Sequence, residues 1–158
     1  MPIKKASHKP LYAYSPTSSS AHMLINEFYV TDARELPGSI YRVQRGIRSR
    51  FHRRSTNNIY SVAFSRGGTP YFVNANENHI YRITAGEEEI VYTHTTYVRD
   101  IVIDARGAIY FSEATGAGGD GKIYRLRPAS RTASLVQTVR LADVGGFWAG
   151  NFTFDTQN

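Results

Sequence analysis

Ile40-Tyr41-Arg42-Val43, Ile80-Tyr81-Arg82-Ile83 and Ile123-Tyr124-Arg125-Leu126 are three copies of one tetrapeptide, starting 40 and 43 residues apart. Each sets an apolar β-branched residue beside an aromatic one, the composition of a pleated, half-buried strand. A period of this length is that of a four-stranded propeller blade, and leucine-rich and ankyrin repeats are shorter. The expected fold class is therefore all-β, with β-propeller blades built as four-stranded antiparallel sheets.

Working outward, residues 59–98 make the clearest blade. Strand-like runs at 59–64, 70–73, 80–84 and 89–92 alternate with turns at Arg66-Gly67-Gly68, at 74–78 and at 86–88. The next blade, 99–148, repeats it at an offset of 39: Phe64 falls on Ile103, Gly68 on Gly107, Tyr71 on Tyr110 and Phe72 on Phe111. Its loop 113–122 is longer, which is where function is often carried. Residues 22–58 read as a first blade with an ill-defined inner strand. Residues 1–21, with Pro2, Pro10, Pro16 and a serine run, read as an extended lead-in. Asn151-Phe152-Thr153-Phe154-Asp155 matches Asp100-Ile101-Val102-Ile103-Asp104 and starts a fourth blade, 149–158. About three blades and a strand make a partial propeller, so the expectation is a fragment of a larger protein or copies that self-associate to complete a ring.

The 158 residues are 41% apolar, with no cysteine and a formal net charge of +6. Disulfides, thiolate metal sites and a cysteine nucleophile are excluded together. No run is apolar enough to cross a bilayer as a helix and no secretory signal is legible, so the expectation is a soluble chain without a membrane partner. The positive charge is local. Arg42, Arg45, Arg48, Arg50, Arg53 and Arg54 form a basic patch around His52, read first as a solvated outer strand and, as a weaker alternative, as a nucleic-acid surface.

The run Arg99-Asp-Ile-Val-Ile-Asp-Ala-Arg-Gly-Ala-Ile-Tyr-Phe-Ser-Glu113 resembles the six-bladed propellers of the NHL-repeat and SMP-30/gluconolactonase-like superfamily, and residues 60–74 carry a weaker copy. The resemblance covers about residues 59–158 and implies either an enzyme or a non-enzymatic binder. In the lactonase and esterase members it implies a calcium-type metal at the central channel, held by Asn and Asp five residues ahead of the strand-end Asp. Those positions here are Tyr60, Arg99 and Gly150, none a carboxylate or amide. A slip of one residue brings Asp100 and Asn151 forward as metal ligands.

The first functional expectation is thus a binding or scaffold module for a small-molecule, carbohydrate or protein ligand, with Arg99, Asp100, Asn151 and Trp148 as ligand contacts and no cofactor. The second is a calcium-dependent, SMP-30-like hydrolase whose catalytic residues the sequence leaves unknown. Replacing Arg99 or Asp100 by Ala is expected to leave folding largely intact.

Other motifs carry less. Gly116-Ala-Gly-Gly-Asp-Gly121 spells G-x-G-x-x-G but leads into a strand rather than a helix, so it is read as a hairpin loop. Glu113, Asp120 and Asp143 are acids on loops, and Glu87-Glu88-Glu89 reads as an acidic turn. Asn151-Phe152-Thr153 spells a glycan acceptor inside an expected strand and is discounted. The five histidines lack metal-ligand spacing. Tyr41, Tyr81 and Tyr124 recur at one strand position, which points to packing between blades.

Overall fold

The computed structural model describes residues 27–31, 37–54, 57–74, 77–113, 120–127 and 129–139. Among them, three antiparallel sheets follow one another along the chain. The first contains β1 (Glu27–Thr31), β2 (Ser39–Gln44) and β3 (Ile47–Arg53). The second contains β4 (Ser61–Phe64), β5 (Pro70–Val73), β6 (His79–Thr84) and β7 (Glu87–Thr93). The third contains β8 (Val98–Ile103), β9 (Ile109–Glu113), β10 (Gly121–Arg127) and β11 (Thr132–Val139). Each sheet is a meander in chain order, and the three tetrapeptides lie on β2, β6 and β10. The fold is all-β and built of propeller blades, as the repeat requires. In the first blade, β1 pairs with β2 as β5 pairs with β6, so a strand equivalent to β4 is not among the described residues.

Turn chemistry recurs with the repeat. Between β4 and β5, and again between β8 and β9, a glycine at φ 81° closes the turn: Gly68 N–H donates to the Ser65 carbonyl, and Gly107 N–H to the Asp104 carbonyl, both at 2.9 Å. Ser65 Oγ and Asp104 Oδ1 accept backbone N–H groups across these turns, from Thr69 and from Ala108. The outer hairpins use two residues with positive φ, Arg45-Gly46 and Ala85-Gly86, the two-residue loop that matches strand twist. This corrects the reading of Glu87-Glu88-Glu89 as a turn. Two residues suffice to reverse the chain, so all three acids belong to β7.

The middle blade is buried on both faces, which is why Pro70-Tyr71-Phe72-Val73 is an uninterrupted apolar run. Phe72, Tyr81 and Ile83 pack with Ile40 and Ile59 toward the first blade. Ala63, Tyr71, Val73 and Ile80 pack with Ile101, Ile109, Phe111 and Leu126 of the third. Alternation along each strand sends neighbours to opposite cores. Phe72 and Phe111 are wholly buried, and each contributes about 2–3 kcal/mol through apolar burial.

Each outer pair also carries an irregularity in its register at the tetrapeptide: opposite Ile40/Tyr41, Ile80/Tyr81 and Ile123/Tyr124 the outer strand holds one extra residue, Phe51, Val91 or Val136. The first and second blades meet closely at Gly38, which sits against the backbone of Asn58 and Ile59 so that a Cβ would collide with main-chain atoms. Gly38 N–H also donates to the Asn57 carbonyl, and its own carbonyl accepts from Arg54 N–H at 3.0 Å.

Candidate functional site

Strand β8 and the start of β4, with the residue just before it, bring together two consecutive residues from each of two blades. Ser61 Oγ donates to Asp100 Oδ1, and the same carboxylate oxygen accepts the N–H of Ile101 at 2.9 Å. One residue earlier, the Arg99 guanidinium lies over the Tyr60 ring, 5.3 Å from its centroid. The offset of 39 between Tyr60-Ser61 and Arg99-Asp100 has become a direct contact between blades. Asp100 is 8% exposed and Ser61 equally buried, whereas Arg99 and Tyr60 are partly exposed. The Tyr60 carbonyl accepts from Thr31 Oγ1 at 3.2 Å, tying the first blade to the same spot. Chemically, the cluster offers a cation, an aromatic face and a carboxylate already bonded within the protein.

This changes the standing of Asp100. Burial argues against the expectation that its removal spares folding, because the Ser61 hydroxyl would lose its acceptor and the Ile101 N–H would keep only Ser61 Oγ at 3.4 Å. Arg99, by contrast, is only partly buried. Trp148, Asn151, Asp143 and Gly150 lie outside the described residues, as do the remaining parts of the glycine-rich loop at 114–119 and the glycan motif. Among the described residues no group of three or more His, Asp or Glu gathers at metal-binding distance. Calcium at Asp100 would have to share that carboxylate with Ser61 and would lie next to the Arg99 cation.

Charged groups concentrate instead between blades. Arg54, immediately after β3, is 7% exposed and reaches into the second blade, 4.5 Å above the Tyr81 ring. Its Nη1 donates to Glu77 Oε2 at 3.1 Å, and its Nε lies 3.2 Å from Glu88 Oε2. Glu88 also meets His52 Nε2 at 2.8 Å. Burial opposes the charge on Arg54, but the Glu77 hydrogen bond and the Glu88 charge outweigh it and hold the guanidinium above its usual range. Burial likewise opposes ionisation of Glu77, yet donors from Tyr81, Arg54 and Asn57 keep its carboxyl below the usual range. Burial, and hydrogen bonding to Glu77, push Tyr81 up to about 12.

Arg54 therefore leaves the basic patch. Arg42 pairs with Glu27 at 2.8 Å, and the Arg48 guanidinium stacks 3.7 Å from the Tyr41 centroid. Arg45, Arg50 and Arg53 remain exposed on the outer hairpin. The patch is thus a set of differently engaged cations, with one of its six buried inside.

Between the second and third blades, His94 follows β7 as Arg54 follows β3. Its ring is 4.6 Å from Tyr124 and 5.0 Å from Phe111, and Nε2 is 3.9 Å from Glu113 Oε2. Glu113, expected on a loop, is the buried end of β9, where it accepts from Tyr124 Oη at 2.8 Å with Lys122 at 3.6 Å. Burial lowers the His94 pKa in spite of Glu113. Burial alone would raise Glu113, but hydrogen bonds and the Lys122 charge bring it below its usual range. Neutral His94 beside ionised Glu113 is the state at neutral pH.

The blades make the chain a β-propeller protein, and comparison with solved structures agrees on that fold. The chain is similar to a propeller in a nidogen/laminin complex, with 17% identity and a TM-score of 0.60 over 73% of this chain and 45% of that one. It is similar to the calcium-binding protein regucalcin from Agrobacterium tumefaciens strain C58, with 21% identity and a TM-score of 0.54 over 73% and 42%. Virginiamycin B lyase from Staphylococcus aureus aligns with 21% identity and a TM-score of 0.52 over 70% and 37%. The chain thus spans less than half the length of these structures. No family model and no curated protein matches the sequence. Among the described residues, no helix is long and apolar enough to cross a membrane.

Proposed function

We propose that the chain is a binding or scaffold module of the propeller type, with a ligand meeting the inner-strand cluster of Tyr60 and Arg99. The observation that carries this reading is the Arg99 guanidinium set over Tyr60 beside a carboxylate that Ser61 already engages. A cation on an aromatic face suits an anionic or polar group of a small molecule, sugar or protein. Asn151 and Trp148, by their place at the start of the next blade in the repeat, are proposed as further contacts. The resemblance to metal-dependent hydrolases weighs less, because Arg99 stands where such enzymes place an oxygen ligand, and its charge opposes a nearby cation. Solved neighbours include a propeller in a complex with laminin, a calcium-binding propeller and a lyase, so the fold itself accommodates each role.

Isothermal titration with glucuronate, inorganic phosphate and calcium tests the proposal. Anion heat that disappears in Arg99→Ala, with no calcium heat, is the expected result. Calcium heat that disappears in Asp100→Asn, accompanied by lactone hydrolysis, would instead establish the hydrolase.

A further inference from the structure

The three outer strands are chemically unlike. β3, Ile47–Arg53, carries Arg48, Arg50 and Arg53, and β7, Glu87–Thr93, carries Glu87, Glu88 and Glu89. β11, Thr132–Val139, carries no charge and no proline over eight residues. Charge on an outermost strand blocks the pairing of another chain with its open N–H and C=O groups. Two of the three edges are protected in this way and the third is not. The bulge is common to all three blades, so it does not account for the difference.

β11 is the last strand of its sheet, bonded to β10 alone among the described strands. Six of its eight residues are exposed, and the extra residue Val136 and its neighbour Leu135 are 51% and 53% exposed. The hairpin that bears the edge is strongly one-signed. Residues 121–139 include Lys122, Arg125, Arg127 and Arg131 and no acid. Arg127 and Arg131 stand exposed at the β10–β11 turn, and Arg125 and Arg127 are paired across the sheet with Ser134 and Thr132.

We propose that the open edge of β11 accepts an extended, acid-rich segment of a partner protein as an added antiparallel strand. Main-chain hydrogen bonds supply the affinity. Carboxylates facing Arg127 and Arg131 set the preference, and aliphatic side chains cover Leu135 and Val136. Charge complementarity selects an acidic partner over a second copy of β11, since another such hairpin brings cations and no carboxylate to meet Arg127 and Arg131. The surface lies on the outer strand, so the proposal stands independently of any ligand at Tyr60 and Arg99.

The test uses the full chain and a fluorescently labelled octapeptide alternating glutamate with valine or threonine, followed by anisotropy. Saturable binding is expected, weakened at least about tenfold when alternate peptide nitrogens are methylated, a loss worth roughly 1.4 kcal/mol. The double substitution Ser134→Glu with Val136→Glu is expected to abolish binding without changing the thermal melt, while Ile47→Glu on β3 leaves it intact. Absence of saturable binding, equal binding of the methylated peptide, or equal loss in Ile47→Glu overturns the proposal. Light scattering that finds a dimer dissolved by the β11 substitutions would assign the edge to a second copy and overturn it as well. Because the methylated peptide probes the unaltered protein, a variant that fails to fold does not remove the test.

Discussion

Arg54 and His94 occupy the same place in successive blades: each follows an outer strand directly, and each rests on the stacked Phe-Tyr pair of the next blade. Phe72 and Tyr81 stack at 4.9 Å beneath Arg54, and Phe111 and Tyr124 at 5.3 Å beneath His94. A carboxylate faces each, Glu77 in one junction and Glu113 in the other. The residue after the outer strand therefore acts as a polar latch on the neighbouring blade, permanently charged in one junction and titratable in the other.

Loss of the Arg54 latch should be costly. Arg54→Met keeps much of the contact with the rings but leaves Glu77 and Glu88 without their cation in a poorly hydrated junction. Removing one member of a buried charged group costs about 3 kcal/mol. Urea denaturation should show the midpoint falling with little change in slope. If Arg54→Met is as stable as the parent, the junction depends on apolar packing alone.

The inner-strand pair should separate by role. Asp100→Ala removes the acceptor of the Ser61 hydroxyl and leaves the Ile101 N–H only the longer bond to Ser61 Oγ, and is expected to cost about 2 kcal/mol. Arg99→Ala removes a partly exposed cation from a ring and is expected to cost less than about 1 kcal/mol. Equal destabilisation by the two would place Arg99 in the structural core of the junction.

How much of this could be read from the residues differs by element. Ile40, Ile80 and their neighbours repeat at blade length and are buried by packing, so the blades were legible from spacing. Residues 70–73 were legible because burial on both faces leaves a continuous apolar run. The bulges at Phe51, Val91 and Val136 were not, since an extra residue in a strand has no compositional mark. Arg54 was misplaced because five other arginines precede it, and charge in sequence does not show which side chain turns inward. The available signal was its spacing of 40 from His94, the same spacing as Ile40 to Ile80. Asp100 drew notice by its position as a ligand contact, but its partner Ser61 comes from another blade and only the fold reveals the bond.

The hairpin of β6 and β7 contains a correctable strain. Ala85 sits at φ 52° before Gly86 at φ 87°, a conformation in which asparagine is favoured over alanine. Ala85→Asn should stabilise the chain by about 0.5–1 kcal/mol, seen as a higher melting temperature. Ala85→Val, β-branched at the same position, should lower it.

Acid should act first on His94. Its folded pKa lies below the 6.5 of the free group, so the unfolded chain takes up a proton more readily than the folded one. The stability this contributes is full above about pH 6.5 and is lost as pH falls through the folded pKa. Glu77 and Glu113, both depressed from 4.5, add a second loss at lower pH, complete only after the folded carboxyls protonate. Melts between pH 7.5 and 4.5 should therefore decline in the parent chain from about pH 6.5 downward. In His94→Phe, which fills the space against Phe111 and Tyr124 without a titrating nitrogen, the decline should begin only near the carboxylate range. An unchanged profile in His94→Phe would mean that another group controls the acid response, and that the second latch closes through its rings rather than its charge.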